Sequence, residues 1–248
     1  MGNQILKIKD LKKNYHTKDG EIKAVDNFTF DLEEGNFIAI VGPSGCGKST
    51  ILSVLAGLEE KSDGEIIVDD KKIGYMLQQD SLFNWRTVLD NCLLGLELNK
   101  SLNNENKEYV INLLNTYGLK EFINSYPNQL SGGMRQRVAL IRTLATKPDL
   151  LLMDEPFSAL DYQTRLTVSD DVYNIIKKEK KSAIMVTHDI AEAISMADKV
   201  IILSKRPCYI KDIIDINLTD KSNPINNRKA KEFTYYYEKI WKAIDHVQ

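Results

Sequence analysis

The sequence has only three cysteines, Cys46, Cys92 and Cys208, and no two are spaced as CxxC. An odd count at wide spacing argues against a disulfide framework or a zinc site and fits a reducing cytoplasm. Long apolar runs are missing. No stretch reaches the roughly 20 apolar residues that span a bilayer. The opening MGNQILKIKD has no apolar segment behind its charges, so no signal peptide is expected. Met1 and Gly2 begin like a myristoylation signal, but Leu6 stands where Ser or Thr is required. Excess charge is also absent. The 33 Lys and Arg against 35 Asp and Glu leave a net charge of −2, which gives nucleic acid no electrostatic case as the main partner. There is no internal repeat, heptad array or low-complexity linker. What is present is a well-populated globular mixture, 43% hydrophobic and 27% charged over 248 residues, enough for one large core or two modest ones.

The periodicity changes along the chain. Residues 5–8 and 24–32 alternate apolar and polar, as strands do. FIAIV (37–41) is a continuous apolar run, expected of a buried strand in a parallel sheet. A glycine-rich loop follows, then a predicted helix over 48–56 ended by Gly57. GEIIVDD and IGYMLQQ read as two short strands. Residues 80–145 then have helical spacing in three runs, separated by Asn, Gly and Pro. Beyond them LLLM, SAIMVT and VIILS read as strands, with helices over 162–180 and IAEAISMA between them. The tail holds YIKDIIDI, a predicted edge strand, and a last helix, KAKEFTYYYEKIWKAI. Strands alternating with helices predict a doubly wound α/β core with a helical block inserted between its halves.

Chemistry concentrates in a few places. GPSGCGKST (42–50) fits G-x-x-x-x-G-K-[ST] between a predicted strand and a predicted helix. The backbone from Pro43 to Thr50 is expected to wrap phosphates, Lys48 to reach the terminal ones, and the Ser49 hydroxyl to bind Mg²⁺. LLLMDEP (150–156) carries Asp154 and Glu155 to the C-terminal end of an apolar strand, where ligands sit in open α/β sheets. Asp154 is expected to hold Mg²⁺ and Glu155 to take a proton from the attacking water. Gln78 and His188 also follow predicted strands. Gln78 is placed to contact Mg²⁺ and the water, and His188 to hold the γ-phosphate and orient the base. A single Gln or His after a strand is more often structural; these two gain weight from landing at one edge. LSGGMRQR (130–137) reads as a second anion site, with Ser131, Gly132 and Gly133 just ahead of a helix. One nucleotide needs one cradle, so two within one chain require an explanation.

Together these motifs resemble the nucleotide-binding subunits of ABC transporters over nearly the whole chain. The resemblance implies an α/β fold: a P-loop NTPase (RecA-like) core with an antiparallel β-subdomain and an inserted α-helical subdomain. It divides the chain into core with β-subdomain (1–79 and 146–215), helical signature subdomain (80–145) and a C-terminal helical tail (216–248). It makes Gly42, Pro43, Ser44, Gly45, Cys46, Gly47, Lys48, Ser49 and Thr50 the Walker A loop and LLLMDEP the Walker B strand. Gln78 becomes the Q-loop, SALD (158–161) the D-loop and His188 the H-loop, with Tyr15 stacking on adenine. The expected catalytic set is Glu155, His188, Lys48 and Gln78; the expected metal ligands are Ser49, Gln78 and Asp154; the cofactors are ATP and Mg²⁺. It also resolves the second cradle. In this family two domains bind head to tail, so Ser131, Gly132 and Gly133 would serve the ATP of a partner copy.

The runs QQDSLFNWRTVLDNCLLGLEL, SGGMRQRVALIRTLATKPDLLLMDEPFSALDYQTR and THDIAEAISMADKVIIL resemble the ATPases of nitrate, sulfonate and taurine importers. This implies permease subunits, an extracellular solute-binding protein and a place at the cytoplasmic face of the membrane. Exporter or lipid-extracting ATPases, and soluble ABC proteins, are the alternatives. Phe83, Asn84, Trp85 and Arg86 fall where the permease docks, although Leu82, Phe83 and Trp85 could equally pack the helical subdomain. Two departures stand out. The segment before Gln78 is shorter than usual, and with so short a tail the regulatory domain of sugar-importer ATPases is not expected. Cys46 is expected to be a small permissive residue, reactive only if its pKa is lowered. Phe233, Tyr235, Tyr236, Tyr237 and Trp241 are expected to pack the last helix onto the body, and KKEKK (177–181) to be a solvated helix end.

Overall fold

The computed structural model describes residues 4–18, 20–68 and 70–245; Met1, Gly2, Asp69 of the GEIIVDD run and the last three residues of the tail lie outside the described residues. Two long strands open the chain, β1 (Gln4–Thr17) and β2 (Gly20–Glu33), paired antiparallel with several register shifts. They extend well past the alternating stretches because bulges reset which face each residue takes. After β3 (Phe37–Val41) come α1 (Lys48–Leu55), β4 (Asp63–Ile67) and β5 (Ile73–Met76). The helical block is α2 (Val88–Leu98), α3 (Asn104–Thr116) and α4 (Gly132–Ala145). Then follow β6 (Leu150–Asp154), α5 (Tyr162–Lys178), β7 (Ser182–Val186), α6 (Ile190–Met196), β8 (Lys199–Leu203) and β9 (Ile210–Asp215). Last come α7 (Pro224–Asn227) and α8 (Phe233–Asp245).

The strands form two sheets. β2, β1 and β4 make a three-stranded antiparallel sheet, and six strands align in the order β5-β6-β7-β3-β8-β9. The first five of the six run parallel; β9 closes the edge antiparallel to β8. The parallel strands bury both faces, which is why they read as continuous apolar runs. Phe37, Ala39 and Val41 face one core with α2 to α6, while Ile38 and Ile40 face a second core with β1, β2 and α1. No helix among the described residues is long and apolar enough to cross a membrane.

The tail differs in part from expectation. Phe233 and Tyr236 pack on the core beside the fully buried Ile240. Tyr235, Tyr237 and Trp241 instead face outward, with the Tyr237 and Trp241 rings stacked at 6.3 Å. Helical spacing puts Tyr235 on one flank of the core-facing side of α8 and Tyr237 with Trp241 on the other. The short α7 was not legible in the sequence, because four residues capped by Asn223 are too few for periodicity.

Candidate active site

Parallel strands present their C-terminal ends at one edge, so the sheet order decides what meets there. Reading β5-β6-β7-β3-β8 across that edge gives Gln78, then Asp154 and Glu155, then His188, then the loop 42–47, then Lys205 and Arg206. The loop leads into α1. Gly47 holds φ at 128°, and a side chain there would meet the Ala24 carbonyl oxygen and Cys208 Sγ at 3.1 Å. Only glycine fits.

The six helices α2 to α7 all have a side-chain N-cap: Thr87, Asn103, Ser131, Asp161, Asp189 and Asn223. α1 has none, since its N-cap is Gly47. Its first-turn N–H donors and the positive end of its dipole are left for an anion. A cavity of about 270 Å³ lies over them, lined by Ser44, Gly45, Gly47, Lys48, Ser49, Thr50, Glu155 and Arg206. Pro43 and Cys46 line an adjoining cavity of about 410 Å³ with Ser44, Gly45, Lys205 and Arg206. A larger cavity of about 730 Å³ lies on the antiparallel sheet among Lys9, Asp10, Lys12, Asp63 and Glu65. It mixes charges of both signs and has no helix end behind it, so it offers an anion nothing comparable.

Lys48 is 6% exposed and donates from Nζ to the carbonyl oxygens of Gly42 at 2.8 Å and Pro43 at 2.9 Å. The cation thus folds over its own loop. Ser49 Oγ donates to Asp154 Oδ1 at 3.1 Å, and Tyr75 donates to Oδ2 at 3.5 Å. Burial raises the Asp154 pKa, with Ser49 opposing it. A buried carboxylate whose direct partners are hydroxyls is a hard-oxygen set suited to Mg²⁺. Glu155 holds φ at 43°, its N–H bonded to the Val186 carbonyl oxygen at 2.9 Å. This sparsely populated backbone state is common at functional positions. It brings Glu155 Oε2 to 3.1 Å from His188 Nδ1 and 3.4 Å from Gln78 Nε2.

Tyr15 reaches α1 rather than the cavity wall. Its hydroxyl donates to Glu59 Oε2 at 2.5 Å and lies 3.4 Å from Thr50 Oγ1, with Lys13 Nζ 4.8 Å from the ring centroid. The Cys46 side chain is buried and burial raises its pKa, so the thiolate is disfavoured. Ser131, Gly132 and Gly133 do not line the cavity of their own chain. Ser131 is exposed and caps α4 through the Met134 N–H at 3.3 Å. Gly133 has a packing reason as well, because a Cβ there would meet Val168 Cγ2 at 2.7 Å. Gly133→Ala is expected to lower stability by about 1–3 kcal/mol through overpacking against α5, measured by urea unfolding; unchanged stability would remove that reason.

Three features here were missed in the sequence. Arg206 joins the cavity wall; a Lys205–Arg206 pair just after an apolar strand was the available signal. Arg135 and Arg142, two turns apart on α4, grip the segment after Gln78. Arg135 Nε bonds Asp80 Oδ2 at 2.9 Å, and Arg142 donates to the carbonyl oxygens of Ser81 at 2.8 Å and Asp80 at 2.7 Å. Behind His188, Glu192 is 3% exposed and accepts from Thr187 Oγ1 at 2.7 Å, with Arg165 Nε 3.7 Å away. Burial raises its pKa from 4.5 to about 6, opposed by Thr187, Arg165 and Arg228 and reinforced by Asp189. A raised folded-state pKa gives stability that is complete below pH 4.5 and lost as pH rises through about 6. Glu192→Gln is therefore expected to gain about 2 kcal/mol over wild type between those limits, read from urea unfolding at each pH; parallel stability curves would refute it.

An open helix end at the centre of a parallel sheet edge, with carboxylates at the end of β6 two strands away, defines a P-loop nucleotide hydrolase. The chain belongs to the ABC transporter family, which matches residues 25–158, and is an ATPase of that family. It is 42% identical to the uncharacterized ABC transporter ATP-binding protein YtlC of Bacillus subtilis (strain 168), over 98% of this chain and 96% of that protein. It is 38% identical to the aliphatic sulfonates import ATP-binding protein SsuB of Bacillus thuringiensis subsp. konkukian (strain 97-27), over 96% of this chain and 95% of the relative. The dimeric post-hydrolysis structure of the ATP-binding cassette MJ0796 bound to ADP and Pi is 31% identical, with a TM-score of 0.73, covering 86% of this chain and 99% of that one.

Proposed function

We propose that this chain is the ATP-hydrolysing subunit of an ABC importer, working as a head-to-tail homodimer at the cytoplasmic face of a membrane. The observation that carries the chemistry is the row Gln78, Glu155, His188 beside an uncapped α1. ATP and water give ADP and phosphate by in-line attack. Catalysis then rests on positioning and charge stabilisation. The first-turn amides and Lys48 hold the phosphates. Glu155 takes the proton of the attacking water, and Gln78 and His188 fix the carboxylate on either side. Ser49 and Asp154, with Gln78, would hold Mg²⁺, which when bound neutralises charge on the terminal phosphates. Tyr15 would stack on adenine once the base arrives.

The exposed Ser131 at the head of α4 supports the dimer, since it has no role in its own chain's cavity. Its amides would face the γ-phosphate held by the partner, so that hydrolysis loosens the pair. The grip of Arg135 and Arg142 on residues 80–81 would carry that change to the docking face. There Trp85 is 74% exposed and stacked on Phe83 at 4.8 Å, while Leu82 is buried and Arg86 is tied to Glu97 at 2.8 Å. Leu82 and Arg86 would pack the helical block, leaving Phe83, Asn84 and Trp85 for the permease.

The solute would be small, such as nitrate, a sulfonate or taurine; the likeness to SsuB, named for aliphatic sulfonates import, supports a sulfonate. The solute would be delivered by an extracellular binding protein in the same complex. The test is a pull-down of tagged chain from detergent-solubilised membranes of its host, followed by mass spectrometry. A multi-span permease with a solute-binding protein is the expected result. Ribosomal or DNA-repair partners without a membrane protein would overturn transport while leaving the ATPase.

A further inference from the structure

The phosphate cavity has a second cation besides Lys48. Arg206 follows β8, and β8 lies next to β3 in the sheet, so the residue after its end arrives beside the loop 42–47. Its Nη2 donates to the Gly45 carbonyl oxygen at 2.7 Å. Arg206 lines both the 270 Å³ cavity over α1 and the 410 Å³ cavity beside it. It is exposed and forms no salt bridge with a carboxylate among the described residues. Lys48, by contrast, is buried and already satisfied by two loop carbonyls.

We propose that Arg206 is a nucleotide-binding residue that contacts the polyphosphate of ATP directly. A guanidinium has five N–H donors in a planar fork. One is committed to Gly45, which anchors the group at the cavity wall and leaves the others for an anion. A fork of that shape matches two phosphate oxygens better than an ammonium does. Arg206, with its neighbour Lys205, would also bring positive charge to the adjoining cavity, whose lining includes neither Lys48 nor Glu155.

The inference rests on the ATPase reading, and the test separates the two. ATP affinity is measured by titration calorimetry for wild type, Arg206→Ala, Arg206→Gln and Arg206→Lys. Thermal unfolding checks that each variant folds. Loss of a charge-assisted hydrogen bond at an exposed site predicts that Ala weakens ATP binding by roughly 5–20-fold. Gln keeps a donor for Gly45 but no charge, and is expected to lose as much as Ala. Lys keeps the charge and is expected to lose less. The gap between wild type and Ala should also narrow in high salt. Wild-type affinity in Ala, or in Gln, would overturn the proposal: the first leaves Arg206 without a role in binding, the second reduces it to bracing the loop. Absence of ATP binding by the wild-type chain itself would instead count against the ATPase reading.

Discussion

Glu155→Gln is expected to slow ATP hydrolysis by roughly 10²–10⁴-fold, the usual worth of a positioned general base, while ATP still binds. The motive is geometric. Glu155 is held by an unusual backbone state, its carboxylate lies 3.1 Å from His188, and it lines the cavity over α1. Glutamine keeps the size and the contacts to Gln78 and His188 but cannot take a proton. Single-turnover hydrolysis measured beside equilibrium ATP binding separates the two effects. The variant should trap ATP and, if the γ-phosphate holds the dimer, accumulate as a dimer on gel filtration with ATP. Normal turnover would remove Glu155 from the chemistry.

Ser131→Arg should abolish steady-state hydrolysis, by roughly 10²-fold or more as expected for losing preorganised donors, with ATP affinity of the monomer unchanged. Ser131 is the position to change because it is exposed and lies outside the cavity of its own chain. Gly132 and Gly133 are poorer choices, since side chains there would press on Leu160 at 3.0 Å and Val168 at 2.7 Å. A decisive form of the experiment mixes Ser131→Arg with Lys48→Ala chains. A mixed dimer has one doubly damaged site and one intact site, so mixing should restore part of the activity. Equal loss of binding and turnover in Ser131→Arg, or no recovery on mixing, would argue that the site is complete within one chain.

The parts legible in the sequence share a physical property: each is local. β3, β6 and β7 were readable because a strand buried on both faces must be apolar throughout, and their observed bounds fall on the runs FIAIV, LLLM and SAIMVT. The glycine loop was readable because a tight phosphate-wrapping turn demands glycine at fixed offsets, and Gly47 meets that demand with its 128° φ. β1 and β2 were only half legible, because register shifts break the alternation on which a strand reading depends. In α8 the aromatic cluster was expected to pack as one unit, whereas successive residues on a helix point to different sides. Tyr236 went to the core, and Tyr235 and Tyr237 to the surface.

Local pattern was therefore enough to point to the class of chemistry: a glycine loop ahead of a helix, a strand-end carboxylate pair and a Ser-Gly-Gly stretch opening a second helix, all written in short stretches where backbone conformation and residue type constrain each other directly. Which of these groups meet depends on long-range packing. Strand order β5-β6-β7-β3-β8 is a property of pairing between segments far apart in the chain, and no local pattern encodes it. That order brings His188 and Gln78 to Glu155 and Arg206 to the loop at Gly45. It also leaves Ser131 outside the cavity of its own chain, because long-range packing fixes distances that sequence spacing does not.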